Sequence, residues 1–277
     1  MDRRINLSRW ATLAVSAAAA MLSRPAAAED LKPFTEKLPG DLAEFDMLPV
    51  PGGEVEVKDP AKPGATVKVK VKPFWMSKTA LTWDCFDVFV FRLDLSDKDV
   101  AAGADAANRP SLPYVPPDRG FGHGGFSAIS LSFLSVTKYC EWLTKKTKHK
   151  YRVPTEAEWQ WVCQAGAPAK QLSAEELAKV AWYADNSDGK PHEVGQLAAN
   201  AWGFLDMLGN VRQYCLGLDG KPVACGGGFS DPLAGTQCDS RYYYTPDWQH
   251  TDPQNPKSKW WLSDAPWAGA RVLRDPD

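Results

Sequence analysis

The stretch "NAWGFLDMLGNVRQY", Asn200 to Tyr214, decides how the rest of this 277-residue sequence is interpreted. Its apolar residues, which precede a Gly-Asn turn, are Trp202, Phe204, Leu205, Met207 and Leu208. A tight Gly-Asn turn can direct consecutive carbonyl oxygens inward, and oxygens are the ligands that Ca²⁺ prefers. The stretch therefore allows two interpretations, a ligand-holding loop or the bend of a well-packed core.

Upstream of this stretch, three segments carry helix signals. In "RVPTEAEWQWVCQAG", Thr155 and Glu158 are spaced as a capping box, and Gly166 is placed as a C-terminal stop. A helix is also predicted from Thr82 to Arg92, and another begins at Ser132, each with a hydroxyl residue as N-cap and apolar residues at helical spacing.

The remaining segments predict short strands and loops. "MLPVPGGEVEV" has the pattern of a strand, a turn and a strand, and "ATVKVKVKPFWM" alternates Val and Lys as a strand with one wet face does. "SAEELAKVAWYA" predicts one more helix, after which the sequence is rich in Trp, Gly and Pro. The expected fold class is α+β, with few helices, short strands and much loop.

The first residues are typical of an export signal. Arg3 and Arg4 form a basic start, Trp10–Leu22 is an alanine-rich apolar run, and Ala26–Ala28 provides small residues before Glu29. This layout predicts a signal peptide at 1–28 and an exported protein, periplasmic or secreted. A Pro- and charge-rich flexible lead-in is expected at 29–45, followed by a single domain at 46–277.

Composition excludes two classes of partner. The formal net charge is −2, so the chain has no basic field for nucleic acid. Beyond the predicted signal, no apolar stretch is long enough to span a membrane as a helix. Six cysteines in an exported chain are compatible with disulfides, and none of them forms a CxxC motif.

Several blocks together resemble the formylglycine-generating enzyme, or sulfatase-modifying factor, family. The blocks are "YRVPTEAEWQWVCQAGA", "VGQLAANAWGFLDMLGNVRQY", "GGGFSD" and the terminal "GARVLRD". The resemblance covers about Leu48 to Asp275. It implies one irregular α+β domain related to C-type lectins, copper-dependent oxidation of a substrate cysteine to formylglycine, and calcium as a structural metal.

The copper chemistry of that family is not expected to carry over. The family holds copper with two closely spaced cysteines, and a pair of soft thiolates suits Cu(I). The matching stretch here, "GGGFSDPLAGTQCDSRYYY", contains no cysteine between Gly228 and Cys238. Copper is therefore not expected as a cofactor, and no catalytic residue is assigned.

The cysteines suggest structural roles instead. The resemblance implies a disulfide between Cys163 and Cys238. Cys215 and Cys225 flank a segment whose Asp-Gly predicts a hairpin turn, so a bridge between neighbouring strands is also expected there. For the other two cysteines, Cys85 and Cys140, a pair between helices and two buried thiols are equally compatible with the sequence.

For calcium, the resemblance implies a ligand set on the opening stretch. It comprises the Asp206 side chain, the carbonyl oxygens of Gly209 and Val211, and the amide oxygen of Gln213, where the family has Glu. With fewer charged ligands, the sequence predicts weak structural calcium binding or none. A second interpretation is that Arg212, which replaces the family's Trp, pairs with Asp206 and replaces the ion.

Two functions from different classes follow from these observations. The first is an exported binding or accessory module that accepts a protein or peptide in an aromatic groove. The candidate groove residues are Ser230, Arg241, Tyr242, Tyr243, Tyr244, Trp248, Trp260, Trp261 and Trp267. Aromatic residues with polar handles suit recognition surfaces, although most Trp residues belong to cores. The second is an oxidoreductase with altered metal ligation that acts on a cysteine, a peptide or a secreted metabolite.

Overall fold

The computed structural model describes residues 31–113 and 115–276, and the predicted signal peptide lies outside them. It confirms the expected α+β class, with short strands, few helices and long loops. The strands are β1 Phe34–Lys37, β2 Glu44–Val50, β3 Gly53–Lys58, β4 Thr66–Val71, β5 Phe74–Ser77, β6 Tyr151–Arg152, β7 Arg212–Leu216, β8 Pro222–Cys225, β9 Arg241–Tyr242, β10 Ala268–Gly269 and β11 Leu273–Arg274. The helices are α1 Trp83–Val90, α2 Asp97–Ala101, α3 Phe133–Thr147, α4 Glu156–Cys163 and α5 Ala174–Leu177. Short 3₁₀ turns lie at Pro39–Asp41, Ala106–Asn108, Leu233–Gly235 and Pro246–Gln249.

The strands form two sheets and a hairpin. An antiparallel sheet in the order β1-β2-β5-β11-β6 brings the beginning and the end of the domain together. A second sheet has the order β10-β7-β8-β9, in which β10 is parallel to β7 and the other pairs are antiparallel. Strands β3 and β4 form a hairpin, in which β4 is the alternating Val/Lys strand that the sequence predicts.

The segment predicted as a flexible lead-in is instead part of the first sheet. Strand β1 pairs with β2, Phe34 packs edge-on against Trp75, and Leu38 is buried in the core. Sequence patterning missed this strand because one of its inward positions is Glu36, a carboxylate. Its burial is compensated by a 2.6 Å hydrogen bond from the Tyr151 hydroxyl.

The predicted N-terminal caps are largely confirmed. Thr155 and Glu158 form the reciprocal capping box of α4, and the Ser132 hydroxyl caps α3. Helix α5 is shorter than "SAEELAKVAWYA" suggests. The Asn186 side chain bonds the backbone of Tyr183 and Ala181, which replaces the helical hydrogen bonds beyond α5.

Two apolar clusters share strand β7. Tyr214 faces a cluster built from α1, α3 and Trp261, whereas Cys215 faces a cluster that contains Trp159 and Met207. Phe204, Met207 and Leu208 of the opening stretch are buried in the second cluster, so that stretch is part of the core. Among the described residues, the helices are all too short or too polar to cross a membrane.

Candidate functional site

The loop from Asp206 to Gln213 closes on itself through the Gln213 side chain, which is fully buried. The Gln213 amide nitrogen donates a 2.6 Å hydrogen bond to the Asp206 carbonyl oxygen. Its amide oxygen accepts from the Trp159 indole at 2.8 Å and from Arg271 Nε at 3.0 Å. Both ends of this amide are therefore committed to protein partners.

Arg271 places a permanent cation against the same loop. Its guanidinium is completely buried and donates to the carbonyl oxygens of Ser77, at 2.6 Å, and Leu205, at 2.5 Å. It also donates to the Asp206 carbonyl oxygen at 3.3 Å. Burial lowers the pKa of Arg271 to about 9, against the opposing effect of Asp206, so the guanidinium stays protonated at neutral pH.

The Asp206 carboxylate does not join this network. Its Oδ2 accepts a 2.7 Å hydrogen bond from the Gly195 backbone N–H. Burial raises the pKa of Asp206, which this hydrogen bond and the Arg271 charge oppose. Asp206 is nevertheless only 4% exposed.

The predicted calcium ligands do not fit a calcium ion. The Gln213 amide oxygen, one of the ligands that the resemblance implies, instead accepts hydrogen bonds from the Trp159 indole and from Arg271. Arg271 therefore places a positive charge within hydrogen-bonding distance of that oxygen, and the Asp206 carboxylate accepts from the Gly195 N–H. Within residues 31–113 and 115–276, no group of three or more His, Cys, Asp or Glu side chains is arranged to hold a metal.

We expect the melting temperature of the purified protein to be the same in millimolar calcium and in excess chelator. Because both ends of the Gln213 amide are bonded to protein groups, this side chain offers calcium no free oxygen ligand. The matched variant is Gln213→Glu, which replaces the amide N–H with a second carboxylate oxygen and is expected to acquire a calcium-dependent rise in Tm. A calcium-dependent rise in the unmodified protein would contradict this assignment.

Arg212 does not pair with Asp206, which corrects the second interpretation of the opening stretch. Successive side chains of a strand point to opposite faces, so Arg212 lies across β7 from Gln213. Its guanidinium forms a two-pronged ion pair with Asp231, at 2.7 Å from Nε and 2.5 Å from Nη2. The planar group also lies between the rings of Tyr242 and Trp267, 3.6 Å from each centroid.

This arrangement, which we call the arginine clamp (Arg212, Asp231, Tyr242 and Trp267), occupies the glycine-rich segment that the resemblance associates with copper. The Gly228 N–H donates to Asp231 Oδ2 at 2.7 Å, which fixes the segment against the ion pair. Both charged side chains of the clamp are nearly buried. In the clamp, the two flat faces of the Arg212 guanidinium are covered by the Tyr242 and Trp267 rings, and its hydrogen-bonding edge is paired with Asp231.

The disulfide implied by the resemblance is confirmed. Cys163 at the end of α4 is bonded to Cys238, 75 residues further on. The bridge ties the helical half to the Trp- and Gly-rich half and leaves the segment after Gly228 without a free thiol as far as Arg241.

The second predicted bridge is not formed, and both Cys215 and Cys225 are buried free thiols. The hairpin register places Cys215 opposite Val223 and Cys225 opposite Gln213, so the two cysteines are diagonal neighbours. Diagonal positions are typically about 7–8 Å apart, which is more than a disulfide spans without movement of the backbone.

Cys85 and Cys140, for which the sequence left two alternatives, are also free and buried. Burial raises the pKa of Cys85 to about 11 and that of Cys140 to about 12. Both thiols are therefore protonated and unreactive at neutral pH, as expected of small core residues.

The predicted aromatic groove is smaller than the sequence suggests. Trp260 and Trp261 are each 6% exposed and belong to the first cluster, so little of either ring is available to a partner. Trp248 is buried as well. The sequence did not predict that these Trp residues are buried, because they lie in a Pro- and Gly-rich part of the chain and composition alone does not separate core Trp from surface Trp.

Arg241 is also withdrawn from the surface. It forms a buried ion pair with Glu156 of α4 and a hydrogen bond to the Gln160 amide oxygen. Glu156 therefore has a structural partner in addition to its place in the first turn of α4.

What remains exposed is a row of tyrosines beside the clamp. Tyr243 and Tyr244 are 46% and 53% exposed, and Tyr242 is half-buried. Ser230, which directly precedes Asp231 in the sequence, is also exposed. We call Tyr242, Tyr243 and Tyr244 the tyrosine row. It continues from β9, which is the edge strand of the second sheet.

One polar cluster was not found from the sequence. His123 lies in the glycine-rich loop and contacts Asp87 at 2.7 Å through Nε2 and Asp118 at 3.0 Å through Nδ1. Its ring stacks on Trp83. The residues come from a helix and a loop 36 positions apart, a separation that no spacing rule connects.

Stability is expected to fall slightly as the pH rises from about 6 to 8, because of His123. Partial burial lowers the pKa of His123, but hydrogen bonds and charges of Asp87 and Asp118 outweigh burial and raise it. A raised folded pKa contributes stability below the ordinary value near 6.5, and this contribution is lost as pH rises through the folded value.

Because the ring is 41% exposed, we expect the loss to stay below about 1 kcal/mol. Urea unfolding at a series of pH values measures it. His123→Gln is expected to flatten the profile, whereas the control His250→Gln, at an exposed position, leaves it unchanged. An unaltered slope in His123→Gln would show that other groups cause it.

The fold and the site together define a single irregular α+β domain of the C-type-lectin-like class. The sequence model described as "Sulfatase-modifying factor enzyme 1-like domain" matches residues 35–274. The chain therefore belongs to the sulfatase-modifying factor family.

Solved structures share this fold. "Treponema denticola variable protein 1" is 17% identical with a TM-score of 0.64, covering 88% of this chain and all of that one. "PvdO from Pseudomonas aeruginosa" is 23% identical with a TM-score of 0.59, covering 89% of this chain and all of that one. "CarF" is 17% identical with a TM-score of 0.55, covering 84% of this chain and 99% of that one. At these identities the likeness shows the fold alone.

A local similarity is also present. Over 85 residues the chain is 33% identical to "Chaperone protein LppX" from Paenibacillus barcinonensis. The match covers 24% of this chain and 30% of that protein, so the chain matches about three tenths of the length of this curated relative.

Proposed function

We propose that this chain is an exported, peptide-binding member of the sulfatase-modifying factor family that does not form formylglycine by copper chemistry. The observation that carries the proposal is the arginine clamp. In the segment where the family keeps its thiol pair, Arg212 and Asp231 form a stacked ion pair, and Cys238 is bound to Cys163. These groups supply a rigid platform and no pair of soft ligands.

The tyrosine row supports peptide binding as the activity. It follows β9, an edge strand whose free side offers backbone donors and acceptors to an extended peptide. Tyrosines with partly exposed rings combine apolar contact with a hydrogen-bonding hydroxyl at low entropic cost. The name of the local relative, a chaperone, is consistent with a role that acts on other polypeptides.

The binding test uses an array of extended peptides probed with the purified mature chain. The double variant Tyr243→Ser/Tyr244→Ser is expected to reduce the signal at least fivefold, because it removes two exposed rings and leaves the clamp intact. Leu112→Ser, at an exposed apolar residue outside the second sheet, is the matched control and is expected to bind as before. Leu112→Ser should melt as the unmodified protein does, since exposed substitutions change stability by only about 0.5 kcal/mol. The double variant also loses the Tyr244 hydrogen bond to Gln249 and its ring contact with Trp248, so its binding is measured below its own melting transition. Undiminished binding by the double variant would exclude the tyrosine row.

The alternative, an oxidoreductase of the family, is tested in the same preparation. A Cys-x-Pro-x-Arg peptide is incubated with the chain, copper and oxygen, and its mass is compared with that of untreated peptide. We expect no conversion of cysteine to formylglycine. Turnover of the peptide would replace the binding-module proposal with the oxidase.

A further inference from the structure

A cavity of about 280 Å³ lies beside the Cys163–Cys238 disulfide, on the opposite side of β7 from the arginine clamp. We call it the disulfide pocket. Its walls are mainly apolar and include Leu172, Val180, Phe204, Met207 and Leu208. Ala167, Pro168 and Ala198 are exposed and line its mouth, so the pocket is open to solvent.

One charged group lies on the wall of this apolar pocket. Asp206 is 4% exposed and lines the cavity. Its Oδ2 accepts from the Gly195 N–H, whereas among the described residues Oδ1 has no hydrogen-bond donor. Arg271 bonds the Asp206 backbone carbonyl and leaves the carboxylate itself without a paired cation.

The only other charged side chain that lines the pocket is already neutralised. Lys170, at the rim, forms an ion pair with Glu176 at 2.5 Å. The pocket therefore presents one buried negative group and no free positive group among the described residues.

We propose that the disulfide pocket binds a small primary amine with an apolar body. An ammonium group would donate to Asp206 Oδ1, and a charge-assisted hydrogen bond in a desolvated pocket is stronger than a neutral one. The apolar body would be buried against Phe204 and Met207. The size fits, because a cavity of about 150 Å³ already accommodates benzene.

The same features argue against other ligand classes. A carboxylate ligand would meet the Asp206 carboxylate without an intervening cation, and like charges in a low-dielectric site repel strongly. An alcohol of the same shape would donate a hydrogen bond from an uncharged hydroxyl group, so it is expected to bind more weakly than the amine. Charge, and not shape alone, is therefore the predicted basis of selection.

The test is calorimetric titration of the purified mature chain with phenethylamine, 2-phenylethanol and 3-phenylpropionate. We expect the amine to bind at least tenfold more tightly than the alcohol, and the carboxylate not to bind. Asp206→Asn is expected to weaken the amine at least tenfold while keeping an acceptor for the Gly195 N–H. Equal binding of amine and alcohol would overturn the proposal.

A second variant tests the location even if Asp206→Asn folds poorly. Ala198→Phe places a ring at the mouth of the pocket and is expected to abolish amine binding. Ala199→Phe is the matched control, because Ala199 is the next residue and is exposed but does not line the pocket. This variant should bind the amine as the unmodified chain does. Amine binding that survives Ala198→Phe would place the ligand elsewhere and overturn the proposal.

Discussion

Replacing Cys163 and Cys238 together with alanine is expected to lower the free energy of unfolding by about 4–5 kcal/mol. The bridge closes a loop of 75 residues between the end of α4 and the segment before β9. In the chain-entropy description, opening a loop of that length gives the unfolded chain much more freedom. Since the bridge also lines the disulfide pocket, its loss enlarges an existing cavity and adds to the cost.

Urea unfolding with and without reductant measures this effect. When reductant is added, the free energy of unfolding of the unmodified protein should fall nearly to that of the double alanine variant, whereas the variant itself should not respond. Cys140→Ala is the control for loss of a buried sulfur, because Cys140 is free. This variant should respond to reductant as the unmodified protein does. If reductant does not shift the midpoint of the unmodified protein, the bridge does not contribute as stated.

Local signals in the sequence were sufficient for α1, α3 and α4 and for the opening stretch, whereas α2 was not predicted and α5 is shorter than predicted. A capping box at Thr155 and Glu158 involves only neighbouring residues, so its geometry follows from the sequence itself. The Asp-Gly turn between β7 and β8 is equally local, and three of the apolar residues before Gly209, namely Phe204, Met207 and Leu208, are buried. The family blocks then supplied the fold class and the Cys163–Cys238 pair, which no spacing rule could supply.

Polar partners that are distant in sequence could not be predicted in the same way. Arg212 meets Asp231 and Arg271 meets Gln213 because strand register, not sequence distance, brings them together. The alternation of β7 decides which of Arg212 and Gln213 faces which cluster. That alternation is visible only once residues 212–216 are known to be a strand.

The same limit explains the failed disulfide between Cys215 and Cys225. A hairpin turn was predicted correctly, but a bridge also requires that the two cysteines stand opposite each other. The register instead pairs each of them with another residue, Val223 or Gln213. The register that would pair the two cysteines differs by two positions, which keeps every side chain on the same face, so the alternation of residue types does not distinguish the two registers.

Replacing Arg271 with methionine is expected to lower the free energy of unfolding by about 3–5 kcal/mol, the usual cost of removing one member of a buried polar or ionic pair. The substitution removes one of the two donors to the Gln213 amide oxygen and a donor to three backbone carbonyls, among them that of Ser77. It also leaves Asp206 without the charge that opposes the rise of its pKa. Chemical unfolding of the variant at neutral pH measures the loss.

A double-mutant cycle separates this network from a simple loss of volume. Gln213→Leu combined with Arg271→Met should be less destabilising than the sum of the two single variants, by about 1–3 kcal/mol, because each single change already removes the hydrogen bond that the two side chains share. Strict additivity would contradict the network. If the coupling is found, a side chain that cannot dissociate holds the positive charge at this loop. A tethered cation differs physically from a bound one in that its contribution to stability does not depend on a ligand concentration.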